Sequence, residues 1–220
     1  MTEVEFFFDP SCPWTWVTSR WVATVAPERD LNVTWRTWSL PMKNEGRELP
    51  ASLPAEVRAK ISAGQAFSVR ALRVLEASGS SHGNESLGRL YTELGRRVHG
   101  PDGSYDDSAI GEALAAAGLP PDLAEAGDDK KWDEAIRDNM DEVRRQIGDE
   151  VGVPIVALRT DGAMVAMSGP IMSDVPPRDE SLRLWDAVAT LVSQRSIFEL
   201  KRQRTAGPSA PELDASGRAC

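Results

Sequence analysis

The pattern of apolar and polar residues at the start of the chain predicts a strand followed by a helix. Glu3 to Phe8 is rich in aromatic residues and stops at Asp9-Pro10, which indicates a short, buried strand. Ser11 or Cys12 can cap the helix, and Pro13 suits its first position. The predicted apolar face of this helix is formed by Trp14, Trp16, Val17, Trp21 and Val25.

A second strand is predicted from Leu31 to Leu40, because Leu31, Val33 and Trp35 alternate with polar residues. Trp38 and Leu40 fall on the opposite parity, which a bulge or a two-faced strand end would explain. A strand, a helix and a strand in this order predict parallel pairing of the two strands.

The middle of the chain is helical by pattern, with amphipathic segments separated by Gly- and Pro-containing breaks. The predicted helices run from Pro54 to Ala77, Ser86 to Val98, Asp107 to Ala117, Pro121 to Gly127 and Lys131 to Ile147. About a hundred residues is an ordinary domain size, so we predict an all-α insertion over residues 42–147.

The last third returns to strands. Val151 to Leu158 and Ala163 to Met167 flank Asp161-Gly162, and Asp-Gly between apolar runs is a strong hairpin signal. A long helix is predicted from Arg178 to Arg202, with the cationic residues near 201–204 as its solvated end.

The order β-α-β, helices, β-β-α predicts an α/β protein. We expect residues 1–41 and 148–205 to form one domain around the helical insertion. Residues 206–220 are rich in Gly, Pro, Ser and charge with few large apolar residues, which predicts a disordered tail.

The composition limits the classes of partner that the protein is expected to bind. Twenty-five basic and 34 acidic residues give a net charge of −9, which opposes binding to nucleic acids and anionic membranes. Two cysteines and two histidines without zinc-like spacing predict no metal site. The N-terminus lacks a positive leader, and no apolar stretch reaches about 18 residues. With only two cysteines, we expect the protein to lie in a reducing cytoplasm. We expect small-molecule partners, and the sequence leaves a homodimer open.

Cys12 is the candidate for chemistry. At the N-terminus of a helix, unpaired backbone N–H groups and the helix dipole favour a thiolate, and the thiolate is the nucleophile. Thr15, three residues on, can direct its hydroxyl toward the sulfur. On the turn alone, an inert cysteine packed as a small hydrophobe is an equally good interpretation.

The chain resembles the DsbA-like thioredoxin-fold proteins of actinobacteria, particularly the mycothiol-dependent nitroreductases. The segments that carry the resemblance are FFFDPSCPWTWVTSRW, LYTELGRRVHG, DEVGVP, SGPIMSDVP, LWDA and FELKRQR, spread over nearly the whole chain except the tail. The resemblance implies a thioredoxin fold with a large all-α insertion. It also implies that Val153-Pro154 is a cis-proline dipeptide opposite Cys12, where the Val153 backbone binds substrate.

One position departs from the family. Its members commonly read Cys-Pro-Trp-Cys, whereas this chain has Thr15 in place of the second cysteine. No disulfide can form within the motif. The resemblance therefore implies monothiol chemistry, in which Cys12 reacts with a disulfide or electrophile and an external thiol such as mycothiol resolves it.

Two other functions remain open. Kappa-class glutathione transferases and 2-hydroxychromene-2-carboxylate isomerases have an architecture similar to the one expected here. They carry a serine at this turn and bind a thiol cofactor. A thiol S-transferase or isomerase is therefore the second hypothesis. A non-catalytic thioredoxin-fold binding module is the third.

Several further residues are candidates for the site. His99 is a candidate for proton exchange near neutral pH or a histidine at a helix end. Trp14 is a candidate wall for a flat substrate, whereas Trp16 and Tyr91 are better explained as core residues. Gly169-Pro170 is a candidate cofactor-binding loop or an ordinary turn. Cys220 is predicted to be an incidental tail thiol rather than a partner of Cys12.

Overall fold

The computed structural model describes residues 1–219, so Cys220 and its predicted role lie outside the described residues. Four strands form one sheet in the order β2-β1-β3-β4, in which β1–β3 and β3–β4 are antiparallel pairs. The strands are β1 (Thr2–Phe8), β2 (Leu31–Thr37), β3 (Ile155–Thr160) and β4 (Ala163–Ser168).

The predicted hairpin joins β3 and β4. Thr160 pairs with Ala163 at its end, and the two residues between them have positive φ angles, 52° at Asp161 and 80° at Gly162. Positive φ at both central positions is what a type I′ turn requires, and Asp-Gly accepts it at low cost. The prediction of a hairpin at this point is confirmed.

Most predicted helices are present, with shifted ends. They are α1 (Pro13–Val25), α2 (Leu40–Lys43), α3 (Ala55–His82), α4 (Asn84–His99), α5 (Asp107–Ala116), α6 (Trp132–Ile147) and α7 (Arg178–Ser193), with 3₁₀ turns at Ala26–Glu28 and Pro121–Asp128. Helix α7 ends at Ser193 rather than Arg202, and Phe198 and Leu200 beyond it are exposed. No helix among residues 1–219 is both long and apolar enough to span a bilayer.

The strand predicted over Leu31–Leu40 is shorter in the structure, and neither a bulge nor a two-faced strand end explains the parity of Trp38 and Leu40. Strand β2 ends at Thr37, and the Ser39 hydroxyl caps α2 by accepting a hydrogen bond from the Met42 N–H at 3.1 Å. Ser39 and Pro41 together provide start signals for a helix, so the parity change marks the end of the strand.

The chain divides into two compact units. The first, called the sheet unit below, comprises residues 1–8, 12–36 and 141–219, and the second, the helical unit, comprises residues 9–11 and 37–140. The division falls at residues 37 and 140, where the sequence predicts an insertion over 42–147. Residues 9–11 belong to the helical unit by their contacts although both of their sequence neighbours belong to the sheet unit.

Each unit has its own apolar core. In the sheet unit, the aromatic residues of β1 are buried together with most of α1, and the Trp21 ring lies 5.5 Å from that of Trp185 in α7. The Trp21 Nε1–H also donates to the Ser181 carbonyl at 3.2 Å. Helices α3, α4 and α5 supply most of the core of the helical unit.

Residues 206–219 are not the disordered tail that their composition predicts. The buried guanidinium of Arg20 donates to the Gly217 carbonyl at 3.0 Å, and the Ala219 N–H donates to Thr24 Oγ1 at 3.0 Å. The Ser209 N–H donates to the Ser173 carbonyl at 2.8 Å. These hydrogen bonds join the segment to α1 and to Ser173, and composition does not reveal them.

Candidate functional site

Cys12 occupies the N-cap position of α1. Its backbone is extended, with φ −88° and ψ 109°, and its carbonyl accepts the first helical hydrogen bond from the Trp16 N–H at 3.0 Å. Pro13 stands at the first helical position and has no N–H to leave unpaired. Only 8% of the Cys12 surface is exposed. The positive end of the α1 dipole therefore lies beside a thiol that is nearly enclosed.

Thr15 lies one turn into the same helix and is completely buried. Its Oγ1 has no hydrogen-bond partner among the described residues. The predicted hydrogen bond from this hydroxyl to the Cys12 sulfur is therefore not made in this structure. A buried, unpartnered hydroxyl destabilises the fold by about 1–3 kcal/mol.

Two loops of the sheet unit are tied to α1 near this turn. The Val153–Pro154 and Gly169–Pro170 peptide bonds are both cis. The Gly169 N–H donates to the Pro154 carbonyl at 2.8 Å, and Gly169 has φ 98°, a conformation that favours glycine. Thr18 Oγ1 donates to the Pro170 carbonyl at 2.9 Å. Hydrogen bonds thus connect α1 to the Pro170 loop and that loop to Pro154.

The backbone of Val153, next to Pro154, has hydrogen-bonding groups that no described residue pairs with. Its side chain is buried, with 7% of the residue exposed. Its N–H and C=O make no hydrogen bond within the described part of the chain. Because buried backbone N–H and C=O groups are nearly always paired, those of Val153 are suited to pairing with an extended ligand.

The tryptophans at the turn have different environments. Trp16 is 2% exposed and belongs to the core, as predicted. Trp14 is half-buried, and the guanidinium carbon of Arg204 lies 4.8 Å from its ring centroid. The sequence predicts Arg204 to be a solvated helix end, but α7 stops at Ser193 and the following segment brings Arg204 onto Trp14.

In the helical unit, a buried carboxylate organises the three residues that precede Cys12 in the sequence. Asp9 is fully buried and accepts hydrogen bonds from the Ser11 N–H, the Leu40 N–H and the Ser68 hydroxyl, each at 2.8 Å. Burial raises the pKa of Asp9, and these donors partly offset that effect. Sequence reasoning treats Asp9 only as a strand breaker, although an Asp two residues before a Ser is a signal for this turn.

His99 and Tyr105 bind the carbonyl groups of the same three residues. His99 Nε2 donates to the Pro10 carbonyl at 2.9 Å, and the Tyr105 hydroxyl donates to the Ser11 carbonyl at 3.1 Å. Burial lowers the pKa of His99 to about 4. The imidazole is therefore neutral at pH 7, and its Nε2–H anchors the Pro10 carbonyl. Sequence reasoning missed Tyr105.

The remaining predicted residues have simpler roles. Tyr91 is completely buried in the helical unit, in agreement with its interpretation as a core residue. Among residues 1–219, no group of three or more His, Cys, Asp or Glu side chains is arranged to hold a metal ion.

An uncharacterised protein of Mycobacterium tuberculosis, Rv2286c, is 29% identical over 217 residues, which cover 98% of this chain and 87% of that protein. A probable DsbA oxidoreductase from Streptomyces coelicolor superimposes with a TM-score of 0.56 at 20% identity, covering 94% of this chain and 97% of that one.

A second solved structure has the same fold. The cytosolic disulfide reductase DsbM from Pseudomonas aeruginosa superimposes with a TM-score of 0.56 at 18% identity, covering 86% of this chain and 99% of that one. The chain therefore has the DsbA-like thioredoxin fold. A family model described as Rv2466c-like, mycothiol-dependent nitroreductase Rv2466c, matches residues 11–202.

Proposed function

Because this chain belongs to the Rv2466c-like family of mycothiol-dependent nitroreductases, we propose that it is a monothiol oxidoreductase with a small thiol, mycothiol, as co-substrate. The observation that carries the proposal is the position of Cys12 at the N-cap of α1 with Thr15, not a second cysteine, one turn later. The helix terminus favours the thiolate, and the motif offers no thiol to resolve a mixed disulfide.

The reaction proceeds by two thiol–disulfide exchanges. The Cys12 thiolate attacks one sulfur of a disulfide RS–SR, forms the mixed disulfide Cys12–S–SR and releases RS⁻. A mycothiol thiolate then attacks the R sulfur, forms a second disulfide with R and releases the Cys12 thiolate. Bonds and electrons balance in each exchange, and mycothiol is the net reductant.

Thr15 and Val153 have complementary roles in this scheme. The unpartnered Thr15 hydroxyl donates a hydrogen bond to the thiolate or to the incoming sulfur once the site is loaded. The unpaired N–H and C=O of Val153 bind the extended part of the substrate, beside Pro154. The Gly169–Pro170 loop supports Pro154 through the Gly169 N–H.

The reaction fits a reducing compartment, and we propose a cytoplasmic location. The partners are a small-molecule disulfide or electrophile and a small thiol, and the chemistry uses no metal. A mixed disulfide at Cys12 requires a thiol pool to resolve it, which the cytoplasm of an actinobacterium supplies as mycothiol.

The pH dependence of Cys12 alkylation tests the proposal. We expect an inflection well below 8.5, the ordinary pKa of a cysteine thiol, measured by iodoacetamide labelling and peptide mass spectrometry. The Thr15→Val variant should move the inflection upward, because the Thr15 hydroxyl, which has no partner while Cys12 is a thiol, is the nearby donor that can turn to the sulfur once the thiolate forms, while Thr15→Ser should not. An inflection near 8.5 in all three proteins would refute the proposal.

A thiol S-transferase or isomerase is the second candidate function. The buried Thr15 hydroxyl favours it, because such a group can orient the thiolate of a bound cofactor as well as that of Cys12. In that reaction Cys12 forms no covalent bond, so Cys12→Ser retains substantial activity. The monothiol oxidoreductase loses nearly all activity in the same variant.

A further inference from the structure

The guanidinium of Arg204 lies over the ring of Trp14, a residue close to the candidate nucleophile. Its guanidinium carbon lies 4.8 Å from the centroid of the Trp14 ring, within the range of a cation–π contact. Trp14 is two residues from Cys12, so the Cα atoms of the two residues are at most about 7 Å apart.

The N–H donors of Arg204 make no hydrogen bond within residues 1–219. A guanidinium is planar, and its five N–H donors point outward in that plane. Arg204 is exposed and has no ion-pair partner among the described residues. A guanidinium that contacts an aromatic ring, has no ion-pair partner and keeps its N–H donors unused is suited to binding a carboxylate.

The charge of the whole molecule makes this cation important. With a net charge of −9, the protein repels anions on average. An anionic reactant that approaches Cys12 therefore depends on a local positive group. Trp14 holds Arg204 in place and so reduces the side-chain entropy that ordering a long cation costs.

We propose that Arg204 binds an anionic group, a carboxylate or a sulfonate, on the electrophile that Cys12 attacks. The inference rests on the proposed function, because it requires Cys12 to be the nucleophile. It adds the chemical class of the substrate: a disulfide or electrophile that carries negative charge near its reacting atom.

Alkylation by iodoacetate and iodoacetamide tests the proposal. Both reagents form a carbon–sulfur bond at Cys12 and release iodide, but iodoacetate carries a carboxylate where iodoacetamide carries a neutral amide. The Arg204→Gln variant should react about threefold more slowly with iodoacetate, an effect in the range of exposed ion pairs, and at an unchanged rate with iodoacetamide. Salt at about 1 M should remove the difference between the two proteins.

Arg202→Gln is the matched control, since it changes the net charge equally two residues away. We expect its iodoacetate-to-iodoacetamide rate ratio to equal that of the wild-type protein. Equal ratios in the wild-type, Arg204→Gln and Arg202→Gln proteins would overturn the inference alone. Equal reductions in both variants would do the same, because the effect would then be one of net charge. A Cys12 inert to both reagents would overturn the proposed function as well.

Discussion

His99 provides a pH response that can be measured as stability. Its pKa is about 4 in the folded protein and about 6.5 in an unfolded chain, so the unfolded state binds more protons between these values. Stability is therefore lost as pH falls from about 6.5 toward 4. We expect this group to remove about 2 kcal/mol of unfolding free energy between pH 7.5 and pH 4.5.

His99→Gln isolates the contribution of the imidazole. A glutamine can still donate to the Pro10 carbonyl but does not titrate. In urea unfolding at the two pH values, the variant should lose about 2 kcal/mol less than the wild-type protein. Equal losses in the two proteins would mean that His99 is not held neutral by burial.

At the residue scale, sequence reasoning located the residues whose role depends on their neighbours in the chain. Cys12, Pro13 and Thr15 form a turn, and the spacing of its residues is visible in the sequence. Asp9 and Arg204 depend on partners far away, Ser68 and Trp14, so their surroundings were visible only in the structure. The same reason explains why Tyr105 was missed, since it binds Ser11, 94 positions earlier.

At the element scale, the C-terminal segment has a specific anchor on α1. Thr24 Oγ1 donates to the Arg20 carbonyl within the helix and accepts from the Ala219 N–H. Thr24→Val removes the acceptor, at a cost of about 1 kcal/mol. We expect trypsin to cleave after Arg218 about fivefold faster in this variant, because the released segment is populated more often.

Thr190→Val is the matched control for this experiment. Thr190 Oγ1 likewise donates to a carbonyl four residues earlier in its helix, that of Asp186, but accepts no bond from the C-terminal segment. Its variant should be cleaved after Arg218 at the wild-type rate, as judged by mass spectrometry. Equal acceleration in both variants would show that the anchor does not hold the segment.

The elements themselves were predictable wherever local signals agreed. The β3–β4 hairpin follows from Asp161-Gly162 between apolar runs, and α1 follows from a cap, a proline and an apolar face. The end of α7 was not predictable, because an amphipathic pattern continues past Ser193 although Phe198 is 88% exposed. Periodicity shows which residues are able to pack, but the helix ends where its packing surface does.

At the scale of the whole molecule, the DsbA-like thioredoxin fold was predicted from the order of the elements together with the family resemblance. The assignment of residues 9–11 to the helical unit was not predicted, because it depends on contacts with residues that follow 30 to 90 positions later. The three residues immediately before Cys12 are therefore held by hydrogen bonds that involve Asp9, His99 and Tyr105, all in the helical unit.

Monothiol chemistry at Cys12 is the central claim, and intact-mass analysis after incubation with mycothiol disulfide tests it most directly. We predict one stable mycothiol adduct, located at Cys12 by peptide mapping, because no thiol within the motif can displace it. Thr15→Cys should lose this adduct and become two hydrogens lighter through a disulfide between residues 12 and 15. An unmodified Cys12 in the wild-type protein, or an adduct equally persistent in Thr15→Cys, would contradict the claim.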